Sequence, residues 1–230
     1  MCNKFGVKYC IATDLGRQAI TLALIAAGLK PGDGVVLPSL VCQSVLLPIL
    51  RLGCVPQFAD IGEDLNISPE TVSRVIDEQT RAIIVPHLYG RAAQIERIAD
   101  IAKRHGVTVI DDAAQALGAK RSGKYVGSFG DVGIFSFGPF KSIIATRGGA
   151  LVTNNGKIYK KIQERLPLSG NIDTAFVRAV KSLIKFKFRR YCFFYLSKRA
   201  KDAPTYQEES EVNFAEIDPV SMSDMDAAIA

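Results

Sequence analysis

The strongest constraint on the fold is a pattern that repeats from the first residues to about residue 155. A short run of β-branched and apolar residues is followed by a polar turn and then by a segment long enough for a helix. The predicted strands are Tyr9–Ala12, Gly34–Pro38, Val55–Asp60, Ala82–Pro86 and Val107–Asp111. The predicted helices are Arg17–Gly28, Cys42–Leu52, Pro69–Asp77 and Gln94–His105. Strands that alternate with helices require crossover connections, so we expect an α/β fold with a mostly parallel sheet and helices on both faces.

The pattern changes after Gln115. Val132–Phe137 and Ala150–Thr153 are predicted as strands, and the loop between them contains Lys141. The expected organisation is a large α/β domain over 1–165, a basic, aromatic-rich helical segment and linker over 166–210, and the start of a C-terminal domain over 211–230. The helix-forming segment 221–230 stops after its first turns, as expected for a chain that is cut short.

The net charge of +6 comes from one stretch of the chain. Between Arg178 and Lys201 there are nine Lys or Arg residues and no acid, which leaves 20 basic and 23 acidic residues elsewhere. A local cluster of this kind argues against nucleic-acid binding by the whole fold. The segment 178–201 could be a solvated helix face whose aromatic residues pack against a second domain, or it could pack against a partner subunit. It could also face the phosphates of a nucleotide sugar or lie on an anionic membrane surface.

The five cysteines include no C-x-x-C pair, which disfavours a disulfide framework and a zinc site and favours reduced thiols in a cytoplasm. No metal site is expected. The chain has no apolar run of about 18 residues and no secretory signal at its N-terminus, so neither a membrane-spanning helix nor export is expected.

Three short segments carry the candidate chemistry. Asp111 and Asp112 end an apolar strand, and carboxylates at the C-terminal edge of a parallel sheet can bind a ligand's cationic nitrogen, although such a pair also caps helices. Lys141 follows a strand and a Gly-Pro turn, where a partly desolvated amine can form an imine. Ser136 stands five residues earlier and could bind a phosphate. Gly16 begins a helix whose free N–H groups could bind the same phosphate.

Together these segments resemble the cofactor core of the DegT/DnrJ/StrS-type sugar aminotransferases, which use pyridoxal 5'-phosphate. The resemblance rests on the order of motifs along almost the whole chain: 31–33, 38–40, 64–67, 87–90, 109–119, 127–131, 135–137 with Lys141, and 222–229. The family's fold is that of the aspartate aminotransferases. Its members also have an N-terminal leading segment and a complete second domain, so the resemblance implies a chain shortened at both ends.

The resemblance implies a role for each candidate residue. Lys141 is the Schiff-base lysine that also moves a proton, and Asp112, supported by Asp111, pairs with the pyridine nitrogen. Gln115 lies near the phenolic oxygen of the cofactor. The phosphate is held by Ser136 and by the backbone at Gly16 and Arg17.

The sequence departs from the family's pattern at two places. The family's Gly-Thr phosphate turn is replaced by Gly16-Arg17, where the guanidinium is a plausible phosphate ligand. Cys42 stands where an aromatic residue commonly stacks on the cofactor ring, so His87 could cover the ring instead. A strand-end histidine that is hydrogen-bonded within the protein is an equally good interpretation of His87.

The resulting hypothesis is an aminotransferase that moves an amino group from an amino acid, glutamate by resemblance, to a nucleotide-linked keto-sugar for surface polysaccharide or amino-sugar biosynthesis. Keto-cyclitol acceptors remain open, and a homodimer is expected. One alternative is a sugar dehydratase on the same scaffold, although family dehydratases replace the lysine. The other is a non-catalytic product that binds cofactor or dimerises without turnover.

Overall fold

The computed structural model describes residues 1–138, 141–142 and 148–165. The helices are α1 (Cys2–Phe5), α2 (Gly16–Ala27), α3 (Gln43–Arg51), α4 (Pro69–Val75), α5 (Ile95–His105) and α6 (Gly156–Gln163), with a single 3-10 turn at Leu88–Gly90. The strands are β1 (Tyr9–Thr13), β2 (Gly34–Pro38), β3 (Val55–Ala59), β4 (Thr80–Pro86), β5 (Thr108–Asp112), β6 (Lys120–Arg121), β7 (Lys124–Tyr125), β8 (Val132–Ser136) and β9 (Gly149–Thr153).

Seven strands form one sheet in the order β1-β9-β8-β5-β4-β2-β3. The pairs β2–β3, β2–β4, β4–β5 and β5–β8 are parallel, whereas β9 is antiparallel to both of its neighbours, β1 and β8. Strand β1 therefore runs in the same direction as β8, and the carboxyl ends of six strands lie at one edge. Strand β9 begins at that edge, where Gly149 is paired with Thr13 on one side and with Ser136 on the other.

Helices cover both faces of the sheet. Because side chains on a strand alternate between its two faces, neighbouring strand residues belong to different cores. On the α2 face, Ile84 and Ile110 belong to a core cluster with residues of α2, α3 and α6. On the α5 face, Val85 and Val109 belong to a second cluster with residues of α4 and α5. A third cluster continues the α5 face over β8 and β9, where Phe135 packs with residues of α1 and of the segment after β5.

The expected α/β architecture is confirmed, and each of the nine strands and helices predicted up to Asp111 exists within two residues of its expected bounds. Local side-chain and backbone chemistry marks two of the helix ends. Ser68 Oγ accepts a hydrogen bond from the Thr71 N–H with Pro69 in the first turn, and Gly106 ends α5 in the left-handed conformation at φ 67°.

The structure adds features that the pattern did not reveal. Helices α1 and α6 were not expected, and strands β6 and β7 form a short antiparallel hairpin over 120–125. Residues 166–230, which include the basic segment 178–201 and the expected C-terminal domain, lie outside the described residues. Among the described helices, none has the length and apolar character needed to cross a bilayer.

Candidate active site

The predicted site residues come from three separate segments and meet at the carboxyl edge of the sheet. Asp112 is the last residue of β5, Ser136 is the last residue of β8, and Gly16 is the first residue of the helix that follows β1. Asp112 is in register with Ile134, two residues before Ser136. In an open α/β sheet this edge is the usual place for a ligand.

Gly16 and Ser136 lie in direct contact although 120 positions separate them in the sequence. A Cβ added to Gly16 would lie 2.9 Å from the Ser136 Cβ and 3.1 Å from its Oγ. Gly149 closes the third side, because a Cβ there would lie 2.7 Å from the Gly16 nitrogen. Three backbone segments therefore lie close together here. At two of the three positions, Gly16 and Gly149, there is no room for a larger side chain.

The start of α2 next to Ser136 is suited to bind an anion. Leu15 is its N-cap and its N–H donates to Gln18 Oε1 at 3.0 Å, while the Gln18 N–H donates back to the Leu15 carbonyl at 3.1 Å. The first turn contains no acidic residue. The N–H groups of Gly16 and Arg17 belong to the part of a helix that has no internal acceptor, and the helix dipole adds positive potential there. The Arg17 side chain is exposed.

Asp112 is a buried carboxylate, with 4% of its surface exposed. Its Oδ1 accepts a hydrogen bond from the Ala114 N–H at 2.9 Å. Burial raises the pKa of the Asp112 carboxyl above its ordinary value, while the Ala114 hydrogen bond and the positive charge of Lys141 act in the opposite direction. A buried carboxylate of this kind gains from a nearby cationic partner.

Lys141 is half-buried, and its backbone N–H donates to the Gly138 carbonyl at 3.3 Å. Its charge acts on the Asp112 carboxyl, so the two groups lie within electrostatic range of each other. Residues 139–140 and 143–147 on either side of Lys141 are outside the described residues.

The two remaining candidates lie around this edge. Gln115 is half-buried in the turn after β5, in which the Ala116 N–H donates to the Ala113 carbonyl at 3.0 Å. Cys42 is the N-cap of α3, after β2, and its thiol is free and exposed. The described contacts join neither side chain to Asp112 or Ser136.

His87 is a hydrogen-bonded residue at the end of a strand, as one of the two interpretations expected. Its side chain is fully buried, with Nε2 2.6 Å from Asp111 Oδ1 and Nδ1 accepting from the Ala93 N–H at 2.9 Å. The pairing with Asp111 has no signal in the sequence, because 24 positions separate the two residues and no local pattern relates them.

A lysine, a buried carboxylate and a helix start suited to an anion, at the edge of a seven-stranded α/β sheet, are the features expected of the cofactor-binding domain of a pyridoxal-phosphate enzyme. Comparison with known proteins identifies the family. The model of the DegT/DnrJ/EryC1/StrS aminotransferase family matches residues 1–189, and this chain belongs to that family. The family uses pyridoxal phosphate.

Two curated relatives illustrate the similarity. A pleiotropic regulatory protein of Geobacillus stearothermophilus is 44% identical over 156 residues, which are 67% of this chain and 42% of the relative. The GDP-perosamine synthase of Vibrio cholerae is 38% identical over 156 residues, again 67% of this chain and 42% of the relative. The chain therefore spans less than half the length of these relatives.

Solved structures give the same result at the level of the fold. An aminotransferase from Psychrobacter cryohalolentis superposes with a TM-score of 0.69 at 32% identity, over 70% of this chain and 42% of that one. The ntda protein of Bacillus subtilis with bound cofactor pmp gives 0.65 at 34%, over 70% and 37%. The E. coli GDP-4-keto-6-deoxy-D-mannose-3-dehydratase with bound hydrated PLP gives 0.66 at 27%, over 70% and 43%.

Proposed function

We propose that this protein is a pyridoxal-phosphate-dependent aminotransferase that moves an amino group from an amino acid, with glutamate as the expected donor, to a nucleotide-linked keto-sugar. The observation that carries the proposal is the meeting of Asp112, Lys141 and the Gly16–Ser136 contact at one sheet edge. A similar protein is named GDP-perosamine synthase, which supports a nucleotide-sugar acceptor. The pathway we propose is surface polysaccharide or amino-sugar biosynthesis.

The residues present fit the cofactor. Asp112 would accept a hydrogen bond from the protonated ring nitrogen, and Ser136 Oγ with the N–H groups of Gly16 and Arg17 would hold the phosphate. Gln115 would approach the phenolic oxygen, and Cys42 lies at the same edge. When bound, pyridoxal phosphate supplies an aldehyde carbon that takes up the amino group and a ring that withdraws electrons.

Lys141 has two tasks in this proposal. Its Nζ would bind the aldehyde carbon, and after the amino acid displaces it the free amine would carry the proton on and off the substrate carbon. Asp112 would keep the opposite end of the ring protonated during this transfer.

We also propose that the protein acts as a homodimer in the cytoplasm. The thiols of Cys2, Cys10, Cys42 and Cys54 are free, which fits a reducing compartment. A homodimer would cover the open carboxyl edge, where Arg17 and Tyr89 are exposed. The proposal includes the division into a linker segment over 166–210 and a C-terminal domain from 211. It also includes a contact of 178–201 with a partner subunit or a membrane.

The decisive test is a titration of the purified chain with pyridoxal phosphate. An absorption band distinct from that of the free cofactor is expected, and Lys141→Ala should abolish it. Lys157→Ala is the matched control, because Lys157 is an exposed lysine at the start of α6. If the wild-type chain gives no such band, the cofactor assignment fails.

Two alternative functions are distinguished from the proposed aminotransferase by their reaction products. Adding glutamate should convert the band to that of the amino form of the cofactor, and no conversion by any amino donor favours a non-catalytic, cofactor-binding chain. A dehydratase on the same scaffold is the second alternative, because a dehydratase is among the similar structures. Mass spectrometry of a nucleotide-linked keto-sugar product distinguishes a gained amine from a lost hydroxyl.

A further inference from the structure

A buried histidine–aspartate pair lies directly behind the proposed site. The side chains of His87 and Asp111 are both fully buried, and His87 Nε2 is 2.6 Å from Asp111 Oδ1. The other carboxylate oxygen, Asp111 Oδ2, accepts hydrogen bonds from the Phe129 N–H at 2.8 Å and from the Gly130 N–H at 3.4 Å. The pair thus joins the end of β4, the end of β5 and the turn before β8.

The hydrogen bonds of His87 determine which of its nitrogens carries the proton. The Ala93 N–H donates to His87 Nδ1 at 2.9 Å, so Nδ1 must present its lone pair. The ring proton then lies on Nε2 and is donated to Asp111 Oδ1. A second proton on Nδ1 would face the Ala93 N–H and break that hydrogen bond, so the geometry requires a neutral imidazole.

Asp111 and Asp112 have different surroundings because consecutive strand residues face opposite sides of a sheet. Asp111 follows Val109 by two positions and lies on the α5 face with His87, whereas Asp112 follows Ile110 and lies on the α2 face. Asp111 is fully occupied by three donors, and the only described hydrogen bond to the Asp112 carboxylate comes from Ala114.

We propose that His87 is a positioning residue for the site. It holds the Asp111 carboxylate in a hydrogen bond and thereby leaves the adjacent Asp112 carboxylate available to the cofactor. The backbone contributes to the same arrangement, since the His87 N–H donates to the Asp112 carbonyl at 3.0 Å. The backbone N–H of His87 therefore fixes the Asp112 carbonyl. The neutral ring of His87 holds the carboxylate of Asp111 on the opposite face of the sheet. The inference deepens the proposed function and depends on it for the role of Asp112.

The first test requires no cofactor. In the ¹⁵N-labelled full chain, NMR of the imidazole rings at neutral pH should show His87 with a hydrogen-bonded proton on Nε2 and an unprotonated Nδ1. The chain contains two histidines, and the exposed His105 is assigned with the His105→Gln variant. A proton on Nδ1, alone or together with one on Nε2, would overturn the proposal.

The second test uses two substitutions that separate the two hydrogen bonds of the His87 ring. His87→Gln places an amide donor near the position of Nε2 and keeps a hydrogen bond to Asp111, whereas His87→Asn offers an acceptor near Ala93 and leaves Asp111 without its donor. We expect His87→Asn to weaken pyridoxal phosphate binding roughly tenfold and His87→Gln to weaken it about threefold or less. Equal losses, or a smaller loss in His87→Asn, would show that the ring acts by packing alone.

The two tests separate the failure of this inference from the failure of the proposed function. If wild-type protein binds no pyridoxal phosphate, the proposed function fails, and the NMR result still decides the state of His87. In that case thermal melts replace the binding assay, and His87→Gln should melt several degrees above His87→Asn. The reverse order of melting would contradict the pair.

Discussion

At the scale of single residues, the site places opposing demands on Asp112. Its burial disfavours the charged form and raises its pKa, whereas the Ala114 hydrogen bond and the charge of Lys141 favour that form. A cationic ring nitrogen of a bound cofactor would compensate for this burial. Ionisation of Asp112 in the cofactor-free protein therefore costs stability, at the position where the proposed function needs a charge.

This cost predicts the behaviour of Asp112→Asn, which keeps the acceptor for Ala114 and removes the charge. A raised pKa means that the folded state binds the proton more tightly than the unfolded state, so stability from this group is present at low pH and lost as the pH rises through the raised value. At neutral pH the cofactor-free variant should be more stable than wild type, with Tm higher by roughly 2–4 °C per kcal/mol regained.

The measurement is a series of thermal melts between pH 4 and pH 8 without cofactor. The advantage of Asp112→Asn should shrink toward acid pH, where the wild-type carboxyl is itself protonated. An advantage that grows toward acid pH would contradict the assignment. With pyridoxal phosphate present the order should reverse, because the variant loses the charge-assisted hydrogen bond to the ring nitrogen.

At the scale of elements, the start of α2 depends on a glycine for steric and not for conformational reasons. Gly16 is the first residue of the helix, and its missing side chain lets the Ser136 side chain lie against the helix start. The same contact places a hydroxyl next to the first turn of α2. Neither the helix nor the strand could form this arrangement alone.

Gly16→Ala should therefore disturb the proposed phosphate site. The new Cβ would lie 2.9 Å from the Ser136 Cβ, so Ser136 or the helix must move. We expect a loss of about 1–3 kcal/mol in the free energy of unfolding and roughly tenfold weaker pyridoxal phosphate binding. Isothermal calorimetry and urea denaturation measure the two effects.

Gly156→Ala provides the matched control, because Gly156 is also the first residue of its helix. A Cβ there meets the Tyr9 Oη at 3.4 Å, an ordinary contact. Its stability should stay within about 0.5 kcal/mol of wild type and its cofactor affinity should not change. Wild-type affinity in Gly16→Ala would mean that the phosphate binds elsewhere.

At the scale of the whole molecule, one sheet separates two hydrophobic cores and carries the candidate site at its edge. Leu24 of α2 is fully buried on one face and Ile98 of α5 is fully buried on the other. The strands between them pair across large distances in the sequence, as with β1 and β9, so neither core can form without the sheet. We expect the described domain to unfold as one cooperative unit.

This expectation is tested by Leu24→Ala, Ile98→Ala and the double variant. Each single substitution should lower the free energy of unfolding by about 2–5 kcal/mol, and the double variant by the sum within about 0.5 kcal/mol, because the side chains share no neighbours. Urea denaturation followed by circular dichroism provides the measurement. Leu40→Ala, at a side chain that is 38% exposed, should change stability far less.

A separate transition for one face, or strong non-additivity in the double variant, would contradict a single cooperative unit. Either result would mean that one layer of helices can detach while the sheet and the other layer remain folded.

Much of the fold was predictable because its signals are local. The alternation of β-branched runs and helical segments identified β1 to β5 and α2 to α5, and Ser68 and Gly106 marked helix ends by their own chemistry. The short helix α6 was missed because its N-cap, Asn155, belongs to a polar turn that also fits a loop. The antiparallel course of β9 has no local signal.

The sequence alone determined that Asp112 and Ser136 lie at strand ends, that Lys141 follows a strand and that Gly16 opens a helix, since strand ends and helix starts depend on neighbouring residues. Only the tertiary structure decided that Gly16 touches Ser136, that β9 lies between β1 and β8, and that His87 binds Asp111 and not Asp112. The physical reason is that contacts between distant segments depend on strand order and on the face of the sheet, which arise only when the whole domain packs.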